Sequence, residues 1–421
     1  MILPSIDISG GRVVQLRRGA EHVFTDPRDA LTVAHELARY GQLAVVDLDA
    51  ARGLGDNRAL VRQLCRAVPC RVGGGVRTAE DVRAWIRAGA EQVMVGTAAS
   101  PEFLRQFPRE WLVACVDSRG DEVVVGGWTK ATGLRTVQRA RELAPYCSGL
   151  LFTQVSAEGM LGGPDFAMAQ QLRAAVDVPI TVAGGVRSIA DLRQLLDAGM
   201  NAQVGMALYL GQLDLAAAWR ELLRFDQHEL LPTIAVDADD GHVLMQAWSS
   251  PESIERTLRS GEVTYFSRSR GELWRKGATS GHTQQLVAAR WDCDRDSIVL
   301  RVRQWGPACH RGTPDCFALG GGSELLGLQR VIAERASATA DAGSYTRRLL
   351  DDPQLVASKL REEIEEVIEA QEPDHVAWEC ADVVYHLLAR MRAAGITWRD
   401  VECQLRSRSR PAMAAAGGAV S

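Results

Sequence analysis

Three groups of side chains in this sequence have the types and spacing for chemistry. The stretch DCDRDSIVLRVRQWGPACHRGTPDC, residues 292–316, alternates Asp292, Asp294 and Asp296 around Cys293 and then supplies Cys309 and Cys316. Read as a strand, positions i, i+2 and i+4 share a face, so three hard oxygens suited to Mg²⁺ gather on one side. Cys293 then faces the other side, where Cys309 and Cys316 are its obvious partners. Three thiolates leave the fourth tetrahedral position of a zinc ion open, as catalysis requires. The helical stretch REEIEE holds Glu362, Glu363 and Glu366 at i, i+3 and i, i+4 spacing, and WECADVVYHLL holds Glu379 and Asp382 at i, i+3. Like charges crowded on two consecutive helices call for a divalent cation. Near the start, Asp7 and Asp117 each close an apolar run, fit for a general base and a general acid.

Basic and imidazole groups accompany the first and second clusters. Residues 261–282, GEVTYFSRSRGELWRKGATSGH, supply Arg268, Arg270, Arg275 and Lys276 among hydroxyls, which suits a phosphorylated ligand. His310 beside Cys309 and His282 are spare imidazoles, able to bind substrate or carry protons, and each alone is as well read as structural. Lys359, with Arg347 and Arg348, can meet a phosphate beside the glutamates. A solvated acidic face is the plain alternative for any one of these carboxylate groups, and it weakens because two consecutive apolar-striped helices repeat the pattern.

The elements that must position the two aspartates repeat along the first 225 residues. Eight short apolar runs, MILPSID, LAVVDLD, RVGGGV, QVMVGTA, LVACVDS, GLLFTQVS, PITVAGGV and AQVGMA, are mostly separated by helical patterns. Buried parallel strands read this way, and eight β–α units close into a (βα)8 TIM barrel. GGVRTAEDVRAWIRAGAEQVMVG recurs as GGVRSIADLRQLLDAGMNAQVG 110 positions later, the same interval that separates Asp7 from Asp117. The barrel therefore reads as two fused halves. Gly74 and Gly75, and their counterparts Gly184 and Gly185, let backbone N–H groups approach an anion ahead of a helix N-terminus. Gly96 with Thr97 and Gly205 with Met206 close the neighbouring loops. Two phosphate sites facing each other across one barrel mouth imply an elongated substrate with a phosphate at each end.

Beyond residue 225 the rhythm changes. A DDGH turn, residues 239–242, within alternating residues predicts a β-hairpin and a β-rich α+β domain over 226–320. After a Gly-rich joint, residues 325–408 read as an all-α domain, with Leu349, Leu355, Val356, Leu360, Ile364, Val367 and Ile368 as its apolar stripe. Residues 409–421 are biased toward small residues and expected to be a disordered tail. The chain has 421 residues, 46% hydrophobic, with net charge −5, which gives no basic field for nucleic acid or anionic membrane. No signal peptide or membrane span is read, and nine cysteines clustered unevenly point to metal or catalysis in a cytoplasmic enzyme.

PSIDISGGRVVQLRRG, VVDLDAA, VDSRGDEVVVGGW and GGPDF resemble the histidine-biosynthesis isomerase that converts phosphoribosylformimino-5-aminoimidazole carboxamide ribotide (ProFAR) to PRFAR. That resemblance implies an Amadori rearrangement with Asp7 as base, Asp117 as acid and Thr153 positioning the sugar. The sequence departs from that family at SAEGM, residues 156–160, where Glu158 and Met160 replace an aspartate and a threonine. The absence of an extra hairpin around GGWTKATG favours the isomerase over its sister cyclase. The middle segments resemble phosphoribosyl-AMP cyclohydrolase, implying zinc-dependent opening of the purine ring at a site shared between two chains of a homodimer. SYTRRL, REEIEE and WECADVVYHLL resemble phosphoribosyl-ATP pyrophosphohydrolase, a relative of MazG-type enzymes, implying Mg²⁺-assisted release of pyrophosphate. Together these are consecutive steps on phosphoribosyl-nucleotide substrates in reverse chain order. Two other readings remain, a non-catalytic barrel scaffold and a general nucleotide-sanitising pyrophosphatase.

Overall fold

The computed structural model describes residues 1–318, 323–337 and 344–409. Eight strands, β1 (Ile2–Ser9), β2 (Leu43–Asp47), β3 (Cys70–Gly73), β4 (Gln92–Val95), β5 (Leu112–Arg119), β6 (Gly149–Gln154), β7 (Ile180–Ala183) and β8 (Asn201–Val204), pair in parallel in that order. β8 pairs with β1, which closes the barrel. All eight apolar runs of the sequence fall on these strands. Their outward side chains form one continuous core with the surrounding helices, while Ala44, Met94, Val113, Leu151 and Ala183 form a separate buried cluster. Small residues in that cluster leave room above it.

The 110-residue repeat is carried by the backbone itself. Thr78 caps helix Ala79–Ala88 and Ser188 caps helix Ile189–Asp197, each in a reciprocal capping box with the aspartate three residues on. Short antiparallel strands follow β1 (Arg12–Arg17 with Glu21–Thr25) and β5 (Glu122–Val125 with Lys130–Arg135). The second pair corrects the expectation of no extra hairpin: GGWT, residues 126–129, is a hairpin turn. Glycines at 126 and 127 and Trp128 all take positive φ there, a turn geometry that the alternating polar flanks did not reveal.

The β-rich module has a sheet in the order β10 (Val243–Ser249), β9 (Leu231–Asp237), β14 (Ile298–Gln304), β13 (Gln284–Trp291). β9 and β10 form the expected antiparallel hairpin around residues 239–242. Helix Pro251–Ser260 and a two-stranded ribbon, β11 (Thr264–Ser267) and β12 (Glu272–Arg275), lie between β10 and β13. The chain divides into two compact units, and the β-rich module shares the first of them with the barrel. Trp219 meets Trp291 with ring centroids 4.2 Å apart, and Ala289 N donates to Arg39 O across 2.8 Å.

The second unit is helical: α1 (Glu324–Ser337), α2 (Tyr345–Asp351), α3 (Pro353–Glu369) and α4 (Pro373–Ala393). Of the expected stripe, Leu349 and Val356 are fully buried, whereas Ile364 and Ile368 are exposed. The face of α3 toward α4 carries Glu363 instead, so the apolar stripe and the packed face diverge toward its C-terminal end. The joint at 319–322 and the tail from 410 onward lie outside the described residues. Among the described residues, no helix is long and apolar enough to cross a membrane.

Candidate active sites

The C-terminal ends of the barrel strands enclose a cavity of about 240 Å³. Asp7 on β1, Asp117 on β5 and Thr153 on β6 all line it, as do Gly74, Gly75, Gly96, Thr97, Gly184, Gly185, Gly205 and Met206. Thr153 is the register partner of Asp117 on the adjoining strand. The glycines are required by the fold as well. Gly74 and Gly184 have φ of +91° and +87°, and a Cβ on Gly74 would lie 2.2 Å from the carbonyl oxygen of Asp47.

The electrostatics of the cavity separate its carboxyls. Burial raises Asp7 to about 6, against the opposing hydrogen bond from Ser5 Oγ at 3.0 Å. Burial also raises Asp117, but Trp128 Nε1 donates to it across 2.8 Å and Thr153 adds a second bond, both favouring its charged form. A third carboxyl, Glu158, also lines the cavity. Burial, and then the charges of Asp7 and Asp117, raise it to about 8. In the sequence Glu158 was visible only as a departure within SAEGM; its place in one cavity with the two aspartates depends on the fold.

In the β-rich module, Asp292, Asp294 and Asp296 present oxygens within 4.8 Å of one another, a spacing and donor set that fit a hard cation. They do so by a different route from the one expected. Residues 292–297 are not a strand but the connection between β13 and β14, closed by Asp292 Oδ1 accepting from the amides of Asp296 (3.1 Å) and Ser297 (3.2 Å). Cys293 is exposed on this loop and does not gather with the other cysteines among the described residues. Cys309 and Cys316 share a hydrogen bond between their thiols, and the amide of Arg311 at 3.5 Å holds the Cys309 thiol below its usual range. A thiol biased toward thiolate suits a soft cation. The strand geometry meant to sort thiols from carboxylates is therefore corrected: a bent loop carries Cys293, and the segment after β14 carries the other two.

The basic groups divide. Lys276 is buried close enough to Cys316 and Cys309 to feel their charges, and its Nζ donates to His282 O across 3.3 Å. His310 Nδ1 is 3.9 Å from Cys309 Sγ. His282 packs against Gly306, where an added Cβ would lie 2.5 Å from the ring. Arg275 pairs with Glu262 at 3.1 Å, Arg270 with Glu272 at 3.3 Å, and Arg268 lies 4.4 Å over the Trp248 ring. Lys276 and the His310 imidazole are thus collected around the thiols, His282 reaches Lys276 through its backbone carbonyl, and the three arginines are on the exposed ribbon.

On the facing helices α3 and α4, Glu363, Glu366 and Glu379 bring carboxylate oxygens within 4.8 Å. Glu363 and Glu379 are buried, and burial, then Glu379 and Glu363, raise the Glu366 carboxyl. Glu362 and Asp382 lie outside this group. Glu362 is an exposed partner of Lys359 at 2.7 Å, because its i, i+3 neighbour lies on the outer face of α3. His386, missed in the sequence, accepts or donates at 2.9 Å to the Tyr345 hydroxyl and lies 3.7 Å from Glu363. Its signal was the WECADVVYHLL stretch, where it follows Asp382 by one helical turn.

Comparison with known proteins follows the same division. Residues 1–214 match the family described as histidine biosynthesis protein, residues 245–318 that described as phosphoribosyl-AMP cyclohydrolase, and residues 325–409 that described as phosphoribosyl-ATP pyrophosphohydrolase. The histidine biosynthesis bifunctional protein HisIE of Parasynechococcus marenigrum is 42% identical over 213 residues, covering 46% of this chain and 96% of that protein. HisIE of Gloeobacter violaceus is 43% identical over 202 residues, covering 45% and 92%. The histidine biosynthesis trifunctional protein of Neurospora crassa is 41% identical over 204 residues, covering 47% of this chain and 22% of that protein.

Proposed function

The chain belongs to the histidine biosynthesis protein family, and from that premise we propose that it performs three successive steps on phosphoribosyl nucleotides. It is a multifunctional enzyme of histidine biosynthesis. In the proposed order, the helical unit removes pyrophosphate from phosphoribosyl-ATP, the β-rich module opens the purine ring, and the barrel isomerises the resulting aminoaldose to an aminoketose. The observation that carries this reading is that each of the three matched segments holds its own cluster of reactive groups.

In the barrel, the two Gly-Gly turns receive the terminal phosphates, and Asp7 removes the proton alpha to the developing imine. Asp117, oriented by Trp128 and Thr153, faces the ring oxygen and supplies the proton that opens the sugar. Three carboxyls in one desolvated cavity cannot all ionise, so the cluster as a whole retains a proton to about pH 8. Isomerase kcat/KM should therefore rise through about pH 6 as Asp7 loses its proton and fall through about pH 8. Glu158→Gln should remove the fall near pH 8, because the carboxyl that burial and the two aspartates raise to that value is Glu158 itself and glutamine does not titrate. An unmoved limb would take Glu158 out of the cluster. The same shifts act on stability. Folding raises these pKa values, so the stability they contribute is present at low pH and is lost as pH rises from 4.5 to about 8.

In the helical unit, Glu363, Glu366 and Glu379 fit Mg²⁺, which would balance the charge of the departing pyrophosphate. The buried pair on facing helices fixes the site, and Lys359 lies at its exposed margin. Phosphoribosyl-ATP should be cleaved in strong preference to ATP or dUTP, and Glu363→Gln should reduce pyrophosphate release by about 100-fold or more. Preference for ATP or dUTP would support the nucleotide-sanitising alternative.

In the β-rich module, Cys309 and Cys316 fit zinc, which would activate the attacking water. The third thiolate is Cys293 of a second copy, so the working form is a homodimer, and its place is the cytoplasm. Asp292, Asp294 and Asp296 would hold Mg²⁺, and Lys276 with His310 forms the polar wall next to the thiols, with the His282 carbonyl holding Lys276.

A further inference from the structure

The loop that carries the three aspartates is anchored on the barrel. Residues 292–297 connect antiparallel neighbours, with Trp291 opposite Ile298, and must hold three carboxylates close together. Three like-charged carboxylates with oxygens within 4.8 Å repel one another, so the loop needs bonds that hold it closed. The bonds from the Asp296 and Ser297 amides to Asp292 close the loop from within. They do not fix which way it leans.

Arg295, the residue between Asp294 and Asp296, supplies the external hold. Its φ is +69°, a left-handed conformation that L side chains rarely adopt. This twist turns both of its polar ends to the barrel. Its carbonyl accepts from Arg224 N at 2.9 Å, just beyond helix Leu215–Leu222. Its guanidinium pairs with Asp197, the last residue of helix Ile189–Asp197. The Arg295 side chain is 11% exposed and that of Asp197 53%, so the guanidinium is drawn into the junction and meets a carboxylate at its rim. Trp291, one residue before the loop, is held on the same side by Trp219. The loop thus has one end and its middle fixed to barrel helices.

We propose that Arg295 is a positioning residue through which the barrel, by Asp197 and Arg224, holds the three-aspartate loop of the cyclohydrolase module in its cation-gathering shape. The proposal rests on reading that loop as the Mg²⁺ site. It gives the barrel a second role: its helix ends form part of the support for chemistry in the neighbouring module. Groups that support metal ligands from outside commonly change metal affinity 10–100-fold.

The experiment uses the full chain and the variants Asp197→Ala, Arg295→Ala and Arg295→Lys, read by hydrogen exchange of peptides covering 292–297 with and without Mg²⁺. Asp197→Ala alters a barrel residue away from every ligand, so it also guards against simple disruption of the loop by Arg295→Ala. In both alanine variants, exchange at the Asp296 and Ser297 amides should quicken about tenfold, and the Mg²⁺ concentration for half-maximal ring opening should rise about tenfold. Arg295→Lys should recover part of both effects, and isomerase kcat/KM should be unchanged in Asp197→Ala. Unchanged exchange and Mg²⁺ requirement in both alanine variants would overturn the proposal. Mg²⁺ that fails to slow exchange in the wild-type loop would instead overturn the reading of the loop as a cation site, whatever the variants do.

Discussion

Asp7→Asn should lower turnover of the aminoaldose by about 10²–10⁴-fold, the usual contribution of a positioned general base. Asparagine keeps the shape and the contact with Ser5 Oγ but cannot take a proton. Substrate KM should change little, because in the proposed site the phosphates are held by the glycine turns and not by Asp7. Pyrophosphate release and ring opening should be untouched, since neither uses the barrel cavity. Kinetics on the isolated aminoaldose, with both other activities measured on the same preparation, check this. A loss shared by all three activities would mean that the substitution damaged folding instead.

Cys309→Ala should remove roughly one zinc per chain and abolish ring opening. The reason is geometric: the free thiols of Cys309 and Cys316 are hydrogen-bonded neighbours, so losing one leaves a single thiol in its place. Cys293→Ala should have the same effect on zinc although that residue is on a separate loop. Mixing the two inactive proteins gives the sharper test. If a two-fold dimer shares its sites, half of the mixed dimers are heterodimers with one intact site of two, and about a quarter of wild-type ring opening should return. Metal analysis and activity of the mixture check it. No recovery would exclude sharing.

The barrel was legible in the sequence because its signals are local. Continuous apolar runs mark strands buried on both faces, and the repeat at 110 positions was visible in the text before Thr78 and Ser188 proved to cap matching helices. The glycines, Asp7 and Asp117 followed from their places at strand ends, and Thr153 from the family resemblance. The middle module was harder. Period-two alternation in DCDRD imitates a strand, yet hairpin closure through Asp292 and the left-handed Arg295 bend it into a loop. The aspartates still converge, because a tight loop and one face of a strand both bring alternate residues together. Arg295 itself was unreadable, since Asp197 is 98 positions away. In the helical unit, spacing along each helix marked five acids. Only packing of α3 on α4 shows that Glu363, Glu366 and Glu379 meet while Glu362 turns outward to Lys359. Glu158 is the instructive miss, a residue whose role comes from two aspartates on other strands.

Three active sites working in sequence on one polypeptide should carry phosphoribosyl-ATP through to the aminoketose. Give the purified chain phosphoribosyl-ATP with Mg²⁺ and Zn²⁺, and follow the products by mass and by pyrophosphate release. Wild type should yield pyrophosphate, then the ring-opened aminoaldose, then the aminoketose, while Asp7→Asn should stop at the aminoaldose. Wild type that also stops at the aminoaldose would contradict the account and leave the barrel as a scaffold.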